Sequence, residues 1–212
     1  MAKALNLFGL DVIKDVPGMP MPIVERAVRQ AAIEFCEVTL TWRQALADIT
    51  LADGAASYTL TPPDESRIVT VIYCQQDDVR VLPTTQRLLD DSVQGWRRDT
   101  VKAGTAQWYY LPDRSTISIA LRPDATGTLQ VLVALKPTWT CRTLPDLLYD
   151  DNLDAIRDGA LMRLMRMPGD NQNQDLANYY EAQFERAKNR EKAERLNDYT
   201  RESKLVFGHC YG

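Results

Sequence analysis

One stretch, Pro145 to Leu196, limits the fold more than any other: it reads as two helical arms joined across Met167-Pro168-Gly169. Leu153, Ile156, Ala160, Leu164 and Met167 recur at spacings of three and four, which predicts a single apolar stripe on the first arm. Asp150 and Asp151 stand at its expected start, where carboxylates suit exposed amides and the positive end of the helix dipole. Asp170 and Asn171 are the expected caps of the second arm, whose stripe is Ala177, Tyr180, Phe184 and Ala187. So short a connection makes the arms pack antiparallel.

The arms are unequal. At 1.5 Å per residue the first spans roughly 24 Å, whereas Asp170 to Asn197 would span about 40 Å. The overhang, Lys188 to Arg195, is polar on nearly every side. A helix end without an apolar face gains little from its own core. It is expected to sit in solvent, held by pairs such as Glu191 with Arg195, or to lie against a neighbouring subunit. Lys188, Glu191 and Arg195 are therefore candidate partner-binding residues.

Upstream, an apolar segment from Asn6 is followed by Pro17-Gly18-Met19-Pro20-Met21-Pro22, expected to be a rigid, extended lead-in. Pro22 can open a helix, because its missing N–H would have no intrahelical partner there. Ile23, Ala27, Ala31 and Phe35 then make one stripe, flanked by Val24, Val28 and Ala32. A stripe this wide and alanine-rich suits a helix packed closely against the hairpin.

After Trp42 the period changes. Short β-branched or aromatic runs at Ile49–Leu51, Ser57–Leu60, Arg67–Cys74, Val79–Leu82, Ala106–Leu111, Thr116–Leu121 and Thr128–Lys136 alternate with turn chemistry such as Asp53-Gly54, Asp77-Asp78 and Pro112-Asp113. Ile117, Ile119 and Leu121 predict a strand with one dry face. The spacing predicts an antiparallel meander or small sandwich, interrupted by one helix within Thr84–Gly95. The expected fold is α+β. A helical bundle, the N-terminal helix plus the C-terminal hairpin, comprises residues 1–47 and 141–198. An antiparallel β domain is inserted at 48–140, and residues 199–212 form a tail.

Composition bears on function mainly by exclusion. A net charge of −4 argues against a protein that grips phosphates, which needs a basic excess. Cys36, Cys74, Cys141 and Cys210 lie far apart without paired spacing, as expected of free thiols in a reducing compartment. Met1 to Val16 is broken by polar residues and is not expected to hold a signal-peptide h-region, and no run approaches the ~20 apolar residues of a membrane helix, so a soluble protein is expected.

The one histidine, His209, neighbours Cys210, but adjacent side chains on an extended chain point apart and cannot converge as a nucleophile pair. No ligand cluster predicts a metal, and no glycine-rich loop before a helix predicts a nucleotide. The pairs Asp77-Asp78, Asp90-Asp91 and Asp150-Asp151 fit turns and helix starts better than a hydrolase's carboxylates. Arg97-Arg98 beside Trp96 lacks a wider basic stripe and is expected to pair with surface acids, and Trp108-Tyr109-Tyr110 reads as a packed strand. No catalytic, cofactor or metal site is expected. The tail is charged and then apolar, with Leu205, Val206, Phe207 and Tyr211 as further candidate partner-binding residues.

The order of motifs adds a resemblance. Ala31-Ala32-Ile33-Glu34-Phe35-Cys36 with Trp42-Arg43, then Tyr58-Thr59-Leu60-Thr61-Pro62, begin it; Trp96, Gly104, Tyr109, Leu121-Arg122-Pro123 and Lys136-Pro137 continue it. Leu144-Pro145, Ile156, Gly159-Ala160, Leu164 and Met167-Pro168, with Ala177, Tyr180 and Phe184, complete it. In this order they make the chain similar to the head-to-tail adaptor proteins of tailed bacteriophages, the group that includes the tail tubular A proteins. The chain departs at Gly169 to Asn173, where an aromatic would precede the second arm.

The resemblance implies a structural virion protein at the head-tail junction, or neck, assembled in the host bacterial cytoplasm. Its implied partners are the portal protein, the tail nozzle or next tail protein, and copies of itself in a ring of twelve around passing genomic double-stranded DNA. The other classes open to such a sequence are a virion-associated peptidoglycan hydrolase and a soluble binding module of the host.

Overall fold

A computed structural model describes residues 2–93, 95–97, 102–103, 105–120, 122–123 and 126–196. In chain order its elements are β1 (Ala2–Ala4), α1 (Leu5–Val12), α2 (Met21–Thr39), β2 (Arg43–Ala45), β3 (Ile49–Leu51), β4 (Ser57–Thr59), β5 (Ser66–Gln76), β6 (Val79–Arg80) and β7 (Leu82–Pro83). There follow α3 (Gln86–Ser92), β8 (Lys102–Ala103), β9 (Trp108–Tyr110), β10 (Thr116–Ala120), β11 (Arg122–Pro123), β12 (Gly127–Pro137) and β13 (Thr143–Pro145), then α4 (Asp146–Asp150), α5 (Leu153–Met165) and α6 (Gln174–Leu196).

The helical part is α2, α5 and α6 packed together, with α1 added against α2 and α5. Its core joins Val24, Ala27, Val28, Ala31 and Phe35 to Ile156, Ala160, Leu164, Ala177 and Phe184. Pro22 lies in the first turn of α2, and Leu40, at φ 54, ends that helix with its N–H on the Cys36 carbonyl. Ile23 is 37% exposed, so the stripe of α2 centres on Val24 and Val28.

Several local expectations shift. Asp150 and Asp151 close the short α4, and α5 begins after the buried Asn152. The second arm is capped by Asn173, whose Oδ1 accepts the Leu176 N–H at 3.1 Å, instead of by Asp170 or Asn171. The segment before Pro17 folds as β1 and α1, β1 pairing antiparallel with β13. Pro17 to Met19 is a turn, with Gly18 at φ +80, and not an extended lead-in.

In the β part, the eleven-residue strands β5 and β12 pair at the centre of a sheet ordered β2-β12-β5-β6. Strand β3 joins β2 on the far edge of β12. A second sheet is ordered β4-β10-β9-β7. Leu60, Ile68, Tyr109, Ile117, Ile119, Leu129, Val131 and Leu135 belong to the one apolar cluster shared by these strands. Val81 carries the chain from one sheet to the other: its N–H binds Cys74 O, and the next N–H, of Leu82, binds Gln107 O.

Antiparallel pairing dominates, but β7 with β9 and β8 with β11 are parallel. Strand β10 is dry on both faces, because Ser118 hydrogen-bonds Ser57 at 2.8 Å while Ala120 lies under Leu89 and Trp96 from the α3 region. The β part starts at Arg43, ahead of residue 48, since β2 pairs with β12. Trp42 packs against both large clusters, and its carbonyl accepts the Leu135 N–H, which welds the two parts together.

Candidate functional site

The end of α6 is not a solvated overhang. Lys188 and Glu191 are only 4% and 6% exposed. Lys188 Nζ reaches Glu34 Oε1 and Glu185 Oε1, both at 2.6 Å, and lies 4.6 Å from the centroid of the Phe184 ring. Arg163 of α5 takes the other oxygen of Glu34, so one carboxylate of α2 gathers cations from two other helices. Burial alone would raise the Glu34 carboxyl, but the Lys188 hydrogen bond and the Arg163 charge together hold it below the usual range.

One turn on, Glu191 Oε1 accepts from the buried Thr41 hydroxyl at 2.9 Å and from Arg195 Nε at 3.0 Å. Arg43 of β2 donates to the carbonyls of Leu40 and Arg195. These polar groups cluster where α2 stops, because the left-handed Leu40 turns the chain so that Thr41 and Arg43 meet the last turns of α6. A search for apolar stripes misses such a seam, which long side chains make with their stems buried and their charges paired. Lys188, Glu191 and Arg195 therefore engage their own chain, and the exposed positions of these turns are Asn189, Arg190, Lys192, Ala193 and Glu194. Leu205, Val206, Phe207 and Tyr211, with His209 and Cys210, lie outside the described residues.

Beside this seam is an open cavity of about 570 Å³, lined by Thr41, Arg43, Leu147, Asp151, Asn152, Arg190, Glu191, Glu194 and Arg195. Its mixed guanidinium and carboxylate lining suits recognition of a charged surface more than chemistry on a small molecule. A second groove, of about 550 Å³, follows the edge where β6 passes into β7 and is lined by Val79, Arg80, Leu82, Thr105, Ala106, Gln107 and Trp108. The sequence pattern offers no signal for it, since it arises from a strand that changes sheets.

The remaining chemistry-bearing residues are held structurally. Cys36, Cys74 and Cys141 are buried free thiols; burial pushes Cys36 and Cys74 up to about 12, with Cys141 adding to the effect at Cys36. Asp77 and Asp78, at φ 47 and 69, make the turn between β5 and β6. Asp90 accepts a two-point hydrogen bond from Arg97 and another from the Trp96 indole. Asp158 is half-buried, and burial pushes its carboxyl up to about 6 against the opposing pull of Arg157, with Asp154 and Asp15 adding to the rise. Among the described residues no group of three or more His, Cys, Asp or Glu could hold a metal, and no helix is long and apolar enough to cross a membrane.

No curated protein matches the chain. The family model described as SU10 adaptor protein matches residues 2–204, nearly the whole chain, and the chain belongs to that family of phage head-to-tail adaptors.

Proposed function

We propose that this member of the SU10 adaptor family assembles as a ring of twelve copies between the portal and the next tail component, leaving a channel through which the genome passes. The family places the chain among structural proteins of the virion neck that associate with portal and tail components. The observation that carries the finer reading is the extent of the match, 2–204, which takes in both the β part and α6 to its end. Assembly in the host cytoplasm, and the narrower kinship with tail tubular A proteins, belong to the same reading.

In this reading the isolated protein is a monomer. The exposed positions of the last turns of α6, from Asn189 to Glu194, carry charges and no apolar seam for strong self-association, so a ring closes only on a portal template. Lys188, Glu191 and Arg195 act indirectly, by fixing where Arg190, Lys192 and Glu194 meet a neighbour. The tail from Lys204 to Gly212 anchors each copy to the portal through Leu205, Val206, Phe207 and Tyr211. Each such side chain contributes on the order of 1.5–3 kcal/mol on burial, before ordering costs. A ring multiplies modest contacts through avidity.

Purified chain and portal rings, mixed and imaged as single particles, test this directly. Twelve copies on the portal, with monomers in the portal's absence, is the expected result. Stable closed rings of the chain alone at micromolar concentration would overturn the templated assembly. Truncation after Glu202 should abolish attachment to the portal; attachment that survives the truncation would sink the anchor.

A further inference from the structure

Val79 and Leu82 are 51% and 48% exposed, and both face the groove at the β6–β7 edge beside Ala106 and Trp108. The edge itself is closed to another strand. The N–H groups of Leu82 and Thr84 both turn inward, to Gln107 O and Tyr109 O, and Pro83 between them has none to offer. An occupant must therefore bring apolar side chains and not a strand edge.

We propose that in the free protein this groove is filled by Leu205-Val206-Phe207 of the same chain. The described part of α6 reaches Leu196 beside β2, where Arg43 Nη2 donates to the Arg195 carbonyl at 3.2 Å. Strand β2 and strand β6 lie at opposite edges of one sheet, three strand spacings or about 14 Å apart. Along the strands, Arg43 is level with Ala134, and the groove is level with Leu129, whose partner Gln76 accepts the Ala106 N–H. Those five residues add about 17 Å, so the separation is roughly 22 Å. The nine-residue step from Leu196 to Leu205 can span about 30 Å. Leu205-Val206-Phe207 is the longest apolar run in residues 197–212. An apolar run and an apolar groove within reach of each other both leave water when they meet. The portal reading assigns the same side chains a later partner, and the inference about the free protein does not depend on it.

Cys210, three residues beyond Phe207, is a native reporter, because Cys36, Cys74 and Cys141 are buried. Full-length protein carrying Val79→Cys is treated at low concentration with a short bis-maleimide, and the linked peptides are identified by mass spectrometry. A Leu88→Cys protein serves as the control, since Leu88 is a comparably exposed residue of the β part. The expected result is a 79–210 link within one chain, formed roughly tenfold faster than in the control because of its higher effective concentration. Leu82→Glu or Phe207→Ser added to Val79→Cys should return the rate to that of the control. Equal rates at positions 79 and 88, or a link found only between chains, would overturn the proposal. Portal attachment is scored separately: loss of attachment on truncation with control-level crosslinking rejects the groove alone, and the reverse pattern rejects the anchor alone.

Discussion

Lys188 of α6 and Glu34 of α2 meet at 2.6 Å, with the lysine 4% exposed, so the longest helix is fastened by a charge that hardly sees water. Removing an ammonium from water is costly unless its partners are close and numerous. Here Glu34, Glu185 and the face of Phe184 surround it, while Arg163 balances the second oxygen of Glu34. Lys188 is consequently raised above its ordinary value: burial lowers it, and the hydrogen bonds to Glu185 and Glu34 more than restore it.

The two partners should respond unequally to substitution. Lys188→Met keeps the stem volume and leaves Glu34 with Arg163, so its cost should stay within about 1 kcal/mol. Glu34→Ala takes a carboxylate from both cations, leaving Lys188 with Glu185 alone, and should cost about 2 kcal/mol, less than a fully buried pair because Glu34 is partly exposed. Urea unfolding measures both. The Glu34 contribution is complete above the unfolded carboxylate value near 4.3 and is lost as pH falls through the lowered folded value. Equal losses in the two variants would remove the charge argument.

Much of this architecture is legible in the residues. The β-branched runs around Val71 and Val133 became the central strands, and the spacing of Ile156, Ala160 and Leu164 marked the buried face of α5. What escaped depends on contacts between distant segments. Ala2 to Ala4 is a strand because Thr143 to Pro145 runs beside it. Lys188 is buried because Glu34 waits 154 residues away. Asn173 caps α6 because the tip of the hairpin is longer than its proline and glycine suggested, with the Asn173 N–H tied back to Met165 O. The groove beside Leu82 has no local signature, since its lining comes from β6, β7 and the segment leading into β9.

Glu65 is the clasp between the β part and the return to the helices. At φ 59, it accepts from the Thr143 hydroxyl at 2.7 Å and from the N–H groups of Arg142 and Thr143 at 3.0 and 3.1 Å. The Thr143 hydroxyl bond, with the two backbone amides, holds its carboxyl below the usual range. Glu65→Gln should cost about 1 kcal/mol at neutral pH. Because the folded value is lowered, that difference should vanish as pH falls through it, so wild type and variant converge in acid. A constant gap down to pH ~3 would show that the carboxylate charge plays no part.

Asp158 gives the opposite sign. Its folded value near 6 exceeds an unfolded value near 3.9, so ionising it costs stability progressively as pH rises between them. Asp158→Asn should leave stability unchanged below about pH 4 and raise it by about 1 kcal/mol at pH 7, after allowing for the half-exposed position. A variant less stable than wild type at pH 7 would mean that the carboxylate is held by favourable contacts.

For DNA the expectation follows from charge. With −4 overall and Arg97, Arg157 and Arg163 occupied by carboxylates, the surface offers little to a phosphate backbone. Duplex affinity at ~150 mM salt should be no tighter than the 10⁻⁴–10⁻⁶ M typical of non-specific binding, without sequence preference. Fluorescence anisotropy of a labelled duplex measures it, and submicromolar binding would contradict the proposed channel, through which DNA would have to move.

A glycine packed against both of the other main helices sets the last prediction. A Cβ at Gly159 of α5 would stand 2.9 Å from Phe184 Cε2 and 3.0 Å from Ala31 Cβ, so a methyl group there meets α6 and α2 at once. Alanine favours helix over glycine by about 1 kcal/mol. Overpacking a rigid ring and a backbone-fixed methyl costs about 1–3 kcal/mol, so Gly159→Ala should be net destabilising. Gly9 is the contrast, because its added Cβ meets the mobile end of Met21, Sδ at 2.9 Å, which can swing aside, and Gly9→Ala should be close to neutral. Phe184→Leu destabilises wild type by leaving a void, yet in Gly159→Ala protein it makes room for the methyl. The double-mutant cycle should therefore return a coupling of about 0.5–3 kcal/mol, with the double variant more stable than the sum of the singles. Strict additivity, or a gain in melting temperature from Gly159→Ala alone, would mean that the helices do not approach at this glycine.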